Sequence, residues 1–191
     1  MSTMGRPRDP AVNEAILVAA RELLVEVGYA NLSMEGVAAR ARVGKPTLYR
    51  RYPTRALLVF DAIFGKTKTR AIPNSGSIRA DLQEAYNWAV DEFNAPEARA
   101  AIPGLLAEVA ASPELGQRVR TVVIGPEYGR VRAELELAQC RGEVRTDADL
   151  DLIIDAFIGT ALARVILLDH PVDYQYSKRL VDLVLDGSAT R

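Results

Sequence analysis

The sequence predicts an all-α chain with a short N-terminal head and a longer helical body. Three observations carry this prediction. Apolar residues recur at helical spacing along nearly the whole chain, and no convincing alternation suggests a strand. The stretch Ile72-Pro73-Asn74-Ser75-Gly76-Ser77 breaks that period and reads as a linker. The net charge of the 191 residues is −1, but it is unevenly spread. Residues 1–70 hold 12 Lys and Arg against 6 Asp and Glu; residues 71–191 hold 12 against 19. The expected division is therefore 1–70, with an arm over 1–10, and 71–191. A basic head on an acidic body points to nucleic-acid contact by the head alone.

In the head, Ile16, Ala20, Leu23, Leu24 and Val27 form one apolar stripe, and Gly28 is placed to cap its helix. Ser33 is the expected N-cap of a second helix. A short third helix runs from Lys45 to Tyr52, with Pro46 in the first turn, where a missing N–H is harmless. Thr54 caps a fourth helix carrying Leu57, Leu58, Phe60, Ile63 and Phe64. The body is expected to hold helices over roughly 78–94, 97–111, 114–139, 147–169 and 173–186. Pro96, Pro113, Gly142 and Pro171 mark the breaks, and Pro103 and Gly125-Pro126 are expected to kink or split the longer helices.

Several classes are excluded or disfavoured. A hydrophobic fraction of 49% argues against disorder. One cysteine, Cys140, allows no intramolecular disulfide, and with one histidine, His170, metal ligands are scarce. No nucleophile elbow, P-loop or dinucleotide fingerprint occurs, so the chain reads as a non-enzyme without a cofactor or metal. His170 reads as a helix C-terminal cap, and Cys140 as a bystander. No apolar run approaches the roughly 18 residues of a membrane span, and no signal peptide is evident, so the expected location is cytoplasmic, away from membranes.

Residues 33–52 carry the most informative pattern. Val37, Ala38, Ala41, Val43 and Leu48 are small or apolar where two short helices must touch, with Gly44 expected to relax the backbone between them. This spacing builds a helix-turn-helix. At about 100° per residue, Leu48 and Tyr52 point inward together, while Pro46, Thr47 and Arg50 face out. Lys45 and Arg51 flank that face and Tyr49 lies at its edge. Such a face suits the major groove: Arg and Lys donate to guanine, and the Thr methyl meets thymine. Tyr hydroxyls can bond phosphates. The helix N-termini at Ser33 and at Thr54-Arg55 offer phosphate sites, with Arg55 adding charge. Arg6 and Arg8 of the Gly5-Arg6-Pro7-Arg8 arm could enter a minor groove, or belong to a plain tail.

Residues 11–64 resemble the DNA-binding domain of the TetR family of transcriptional regulators. The resemblance rests on Ala19-Ala20-Arg21-Glu22-Leu23-Leu24, Gly28-Tyr29, Leu32-Ser33-Met34-Glu35, Val37-Ala38 and, above all, Val43-Gly44-Lys45-Pro46-Thr47-Leu48-Tyr49-Arg50-Arg51-Tyr52-Pro53-Thr54-Arg55. It implies base contacts near Lys45, Pro46, Thr47 and Tyr49, and phosphate contacts from Ser33, Arg51, Tyr52 and Arg55. Whether Arg50 reads bases or phosphate stays open. The ending, Arg141 to Asp149 followed by an apolar helix and His170-Pro171-Val172-Asp173, resembles one branch of the family more faintly. The resemblance makes the last two long helices a dimer interface and the middle helices an effector pocket.

From the residues, the helix over 150–168 is apolar nearly all round and needs cover on several sides. Ile153, Phe157, Thr160, Ala163 and Leu167, with Leu180 and Val184 of the last helix, are the candidate interface of a homodimeric four-helix bundle. Tyr86, Trp88, Phe93, Leu105, Tyr128 and Phe157 are candidate pocket residues for an unidentified small-molecule effector, although each also suits a plain core. The expected function is a ligand-responsive repressor binding a palindromic double-stranded DNA operator as a dimer. The alternative is a DNA-binding regulator, activating or architectural, with no effector.

Overall fold

The structure is a computed structural model and describes residues 10–65, 71–168, 170 and 172–188, with the backbone alone at Ser188. Arg6 and Arg8 lie outside the described residues. Every regular element among the described residues is helical: α1 (Pro10–Asn31), α2 (Met34–Arg40), α3 (Lys45–Arg51), α4 (Arg55–Phe64), α5 (Ile78–Asn94), α6 (Pro96–Ala111), α7 (Pro113–Val119), α8 (Gly125–Cys140), α9 (Leu150–Leu162) and α10 (Tyr174–Ser188). None of these helices is long and apolar enough to cross a membrane. The chain forms two compact units. Of the described residues, 10–65 with 100–115 form one, and those from 71–99 and 116–188 form the other, so most of α6 packs with the head sequence.

In the first unit, the helix starts follow side-chain chemistry. Ser33 Oγ accepts the Gly36 N–H at 3.1 Å, and Thr54 Oγ1 accepts the Leu57 N–H at 3.2 Å. The apolar stripes of α1 and α4 enclose Ile16, Leu24, Leu58, Val59 and Phe60, with Val37 of α2 and Leu48 of α3. Arg21 of α1 donates to the Ala62 carbonyl at 2.9 Å and to Glu14 at 3.1 Å, satisfying an end carbonyl of α4. Arg40, the last residue of α2, grips both carboxylate oxygens of Glu26 at 2.5 and 2.6 Å, tying α2 to α1.

Two backbone features differ in place or consequence from expectation. Gly28 takes φ 73°, but the helical turns resume after it, and the kink delivers Tyr29 into the core. In the helix-turn-helix turn, Gly44 has φ −68°, which any residue adopts. The left-handed residue is Arg42, at φ 55°. Gly44 therefore does not relieve the turn, and Arg42 carries a strain that L side chains pay because Cβ crowds the following carbonyl.

Tyr29 is buried against α6. A Cβ built on Gly104 would stand 2.2 Å from Tyr29 Cδ1, so only the bare α6 backbone fits there. This close seat explains why α6 joins the first unit although it follows the linker in sequence.

The second unit packs α5, α8, α9 and α10 around Leu82, Tyr86, Leu135, Ile154, Phe157 and Val181. The rings of Tyr86 and Phe157 lie 5.5 Å apart, tilted by 51°. The linker ends in a polar clasp: the Ser75 N–H donates to Asp81, a residue 1% exposed, and the Ile78 N–H donates to Glu143 at 2.8 Å. Burial opposes ionisation of Glu143, but the Arg141 guanidinium and the Ile78 N–H outweigh it and hold the carboxyl below its usual range. Asp149 caps α9 by accepting the Leu152 N–H at 3.0 Å, so this helix starts three residues later than expected. The expected 114–139 helix is divided by a wide π-helical turn at Arg120–Ile124, where the Gly125 N–H reaches back to the Arg120 carbonyl ahead of Pro126, which has no N–H. A second π turn, Ala163–Leu167, ends the α9 run.

Two substitutions in the first unit have opposite expected signs. Gly104→Ala overpacks the Tyr29 seat and lowers stability by about 1–3 kcal/mol. Arg42→Gly releases the left-handed strain and raises stability by up to about 1 kcal/mol, after the entropy cost of a glycine. Thermal melts followed by circular dichroism check both; an unchanged midpoint for Gly104→Ala would refute the close seat.

Candidate nucleic-acid interface

A seven-residue helix has too few internal hydrogen bonds to stand alone. α3 is held from below by Leu48, fully buried, and by Tyr52 at its C-cap, which is 4% exposed. The Tyr52 hydroxyl donates to Asn13 Oδ1 of α1 at 3.0 Å. These two anchors fix the rotation of the helix. Lys45, Pro46, Tyr49 and Arg50 are then exposed on the outward side, with Thr47 and Arg51 half-buried at its flanks.

The structure thus brings Lys45, Pro46, Thr47, Tyr49 and Arg50 together on one short helix, as its phase requires. Ser33 stands exposed at the start of α2; its Oγ accepts from Gly36, and its proton stays available to donate. Two residues are placed otherwise. Tyr52 is a buttress under α3: its ring is buried and its hydroxyl is spent on Asn13, so the expected phosphate contact finds no exposed group. Arg55, at the start of α4, turns inward. Its guanidinium lies 4.4 Å from the Tyr29 ring centroid, Nη1 donates to the Ala30 carbonyl at 3.3 Å, and Nη2 pairs with Glu108 of α6 at 3.3 Å.

One residue of this surface was not singled out from sequence. Glu35, in the first turn of α2, accepts a hydrogen bond from the Tyr49 hydroxyl at 3.3 Å and lies 3.6 Å from Lys45 Nζ. Its own backbone N–H, together with Lys45 and Tyr49 and against some burial, holds its carboxyl below the usual range. Tyr49 is pushed up by burial and by the Glu35 charge. A single carboxylate thereby orients two side chains of the neighbouring helix. Its only signal in the sequence is an acidic residue two positions after an N-cap, which also suits the helix dipole.

The result is a narrow, convex, mainly cationic helix face. Its donors can reach base edges in a major groove about 12 Å wide, and its hydroxyls can reach phosphates.

The candidate body residues are placed as follows. Tyr86 and Phe157 are buried in the core of the second unit, with Phe93 and Tyr128 packed partly buried against it. The Tyr128 hydroxyl donates to Asp155 at 2.8 Å, and Trp88 Nε1 donates to Glu84 at 2.7 Å. Leu105 belongs to the first unit and the other five candidates to the second. Of the candidate interface residues, Ile153, Phe157 and Leu180 are buried in their own chain's core; Thr160, Ala163 and Val184 are half-buried. Leu167 is exposed, as are Leu152 and Leu183, neither of them among the candidates.

The chain is similar to known proteins in sequence and in fold. Residues 16–62 match the family described as "Bacterial regulatory proteins, tetR family", and residues 72–184 match "Tetracyclin repressor-like, C-terminal domain". An uncharacterized HTH-type transcriptional regulator of Mycobacterium bovis is 31% identical, over 97% of this chain and 94% of its own. The DNA-binding transcriptional repressor TetR of Mycobacteroides abscessus is 30% identical, over 90% of each chain. The crystal structure of the TetR family transcription regulator SCO0332 superposes with a TM-score of 0.70 at 28% identity, covering 94% of this chain and 99% of that one.

Replacing Tyr52 by Phe removes the bond to Asn13 and keeps the ring. Stability should fall by about 1 kcal/mol in a denaturant titration. Duplex affinity, measured well below the melting temperature, should stay at the wild-type value. A selective loss of affinity would instead place this hydroxyl on the DNA.

Proposed function

We propose that this chain, which belongs to the TetR family of bacterial transcriptional regulators, acts as a dimeric repressor of a palindromic operator and responds to a small-molecule effector. The observation that carries the reading is the outward face of α3, where Lys45, Thr47, Tyr49 and Arg50 surround a helix pinned by Leu48 and Tyr52. Lys45, Pro46, Thr47 and Tyr49 meet bases or their flanks, and Ser33 and Arg51 meet phosphates. Arg50 is exposed at the centre of this face and is assigned to a guanine edge.

Dimerisation is supported by apolar side chains that the single chain leaves uncovered. Leu183 of α10 is 73% exposed, and Leu152 and Leu167 are exposed on the α9 run. A second copy is the occupant, because a two-fold pair presents two α3 helices to two half-sites. Their spacing on the duplex would be about 34–36 Å in the simplest arrangement. Effector binding is supported by polar atoms inside the second unit: Gln83 Nε2 and Glu134 Oε2 are enclosed without a hydrogen-bond partner. A ligand that supplies partners to such groups in one conformation shifts the population toward it.

Selection of genomic fragments with purified protein should enrich a palindrome, with affinity falling steeply as salt rises. No enriched palindrome would sink the reading. Arg50→Ala should lower affinity for the selected site by about 1–3 kcal/mol and relax the preference at one base pair per half-site. A uniform loss over all site variants would move Arg50 to phosphate. Leu183→Glu should shift sedimentation from dimer to monomer; an unchanged dimer would take α10 out of the interface.

A further inference from the structure

The inward turn of Arg55 leaves a cation at the start of α4 with two claims on it. One is inside the protein. A single oxygen of Glu108, Oε1, accepts both the Tyr29 hydroxyl at 2.9 Å and Arg55 Nη2 at 3.3 Å. The same guanidinium covers the Tyr29 ring and reaches the Ala30 carbonyl. The other claim is outside. Arg55 keeps 34% of its side chain exposed, next to the exposed Thr54 cap, on the helix that directly follows α3. Thr54 accepts the Leu57 N–H, and the N–H groups of Arg55 and Ala56 in the first turn have no partner within the helix.

We propose that Glu108 is a positioning residue that competes with the DNA backbone for Arg55, so that a carboxylate on α6 sets how strongly the head holds phosphate. This rests on the reading of the first unit as a DNA-binding head. The geometry favours competition over a permanent staple. A half-exposed ion pair at 3.3 Å is weak, and a phosphate oxygen offers the same charge-assisted bond with counterion release added. The Tyr29 phenol, pushed up to about 12 by burial and by Glu108, stays a donor at neutral pH. When Arg55 leaves, Glu108 therefore keeps one partner and is not stranded. The Gly104 seat holds α6 against the Tyr29 ring, so the carboxylate stays in reach throughout.

The test uses the full chain and a fluorescein-labelled random-sequence duplex, read by anisotropy across a salt series. Glu108→Gln keeps the shape and an acceptor for Tyr29 but removes the charge that holds Arg55. It should bind the duplex roughly 3- to 10-fold tighter than wild type at low salt. The slope of log affinity against log salt should steepen by about 0.9, the value of one added phosphate. In an Arg55→Ala background the same change should have no effect. Glu108→Asp, which draws the carboxylate back, should shift affinity in the same direction and carries the test if the glutamine variant does not fold. A folded variant that binds no tighter overturns the proposal. So does a gain that persists without Arg55, since that would be a general effect of charge. Wild-type protein that binds no duplex at any salt overturns the reading beneath it as well, which distinguishes the two failures.

Discussion

The orientation of one seven-residue helix governs what this protein can touch, and that orientation depends on two side chains. Leu48 and Tyr52 lie four apart and so fall on one side of α3. The buried leucine supplies apolar area, and the tyrosine adds a directed bond to Asn13. Together they convert a sequence too short for autonomous helicity into a rigid presenter of cations. The rest of the first unit serves this pair. α1 supplies Asn13, α4 closes the apolar floor, and Arg21 and Arg40 tie α4 and α2 to α1.

Local chemistry made much of this architecture readable. The caps at Ser33 and Thr54 were visible because a hydroxyl three residues before a free N–H needs no distant partner. The outward and inward sides of α3 followed from phase alone. Features set by distant contacts were not readable. Arg55 sits against a carboxylate 53 residues away, and nothing near Arg55 announces Glu108. Glu35 meets Tyr49 only because α2 and α3 cross. Glycine content misled at the turn: Gly44 is conspicuous in sequence, yet the left-handed residue is Arg42.

The body shows a different limit. α9 is apolar nearly all round, so periodicity identifies a helix needing cover without saying which stripe meets its own chain. Folding assigns Ile153 and Phe157 to the internal core and leaves Leu152 and Leu167 outside. On α10 the same ambiguity separates Leu180 from Leu183. Aromatic residues chosen as pocket candidates divide in the same way. Tyr86 and Phe157 meet at a tilt inside, while the Tyr128 hydroxyl binds Asp155. Residue type predicted burial, but only packing distinguished core from surface.

The bare backbone at Gly104 has a meaning beyond this molecule's stability. Because a Cβ there would overlap the Tyr29 ring, the two positions form a single unit of inheritance. A lineage that gains a side chain at 104 must surrender ring volume at 29, and with it the surface on which Arg55 rests. Among descendants of this chain, residues 29, 55 and 104 should therefore change together or remain fixed together, although 75 positions separate the first from the last.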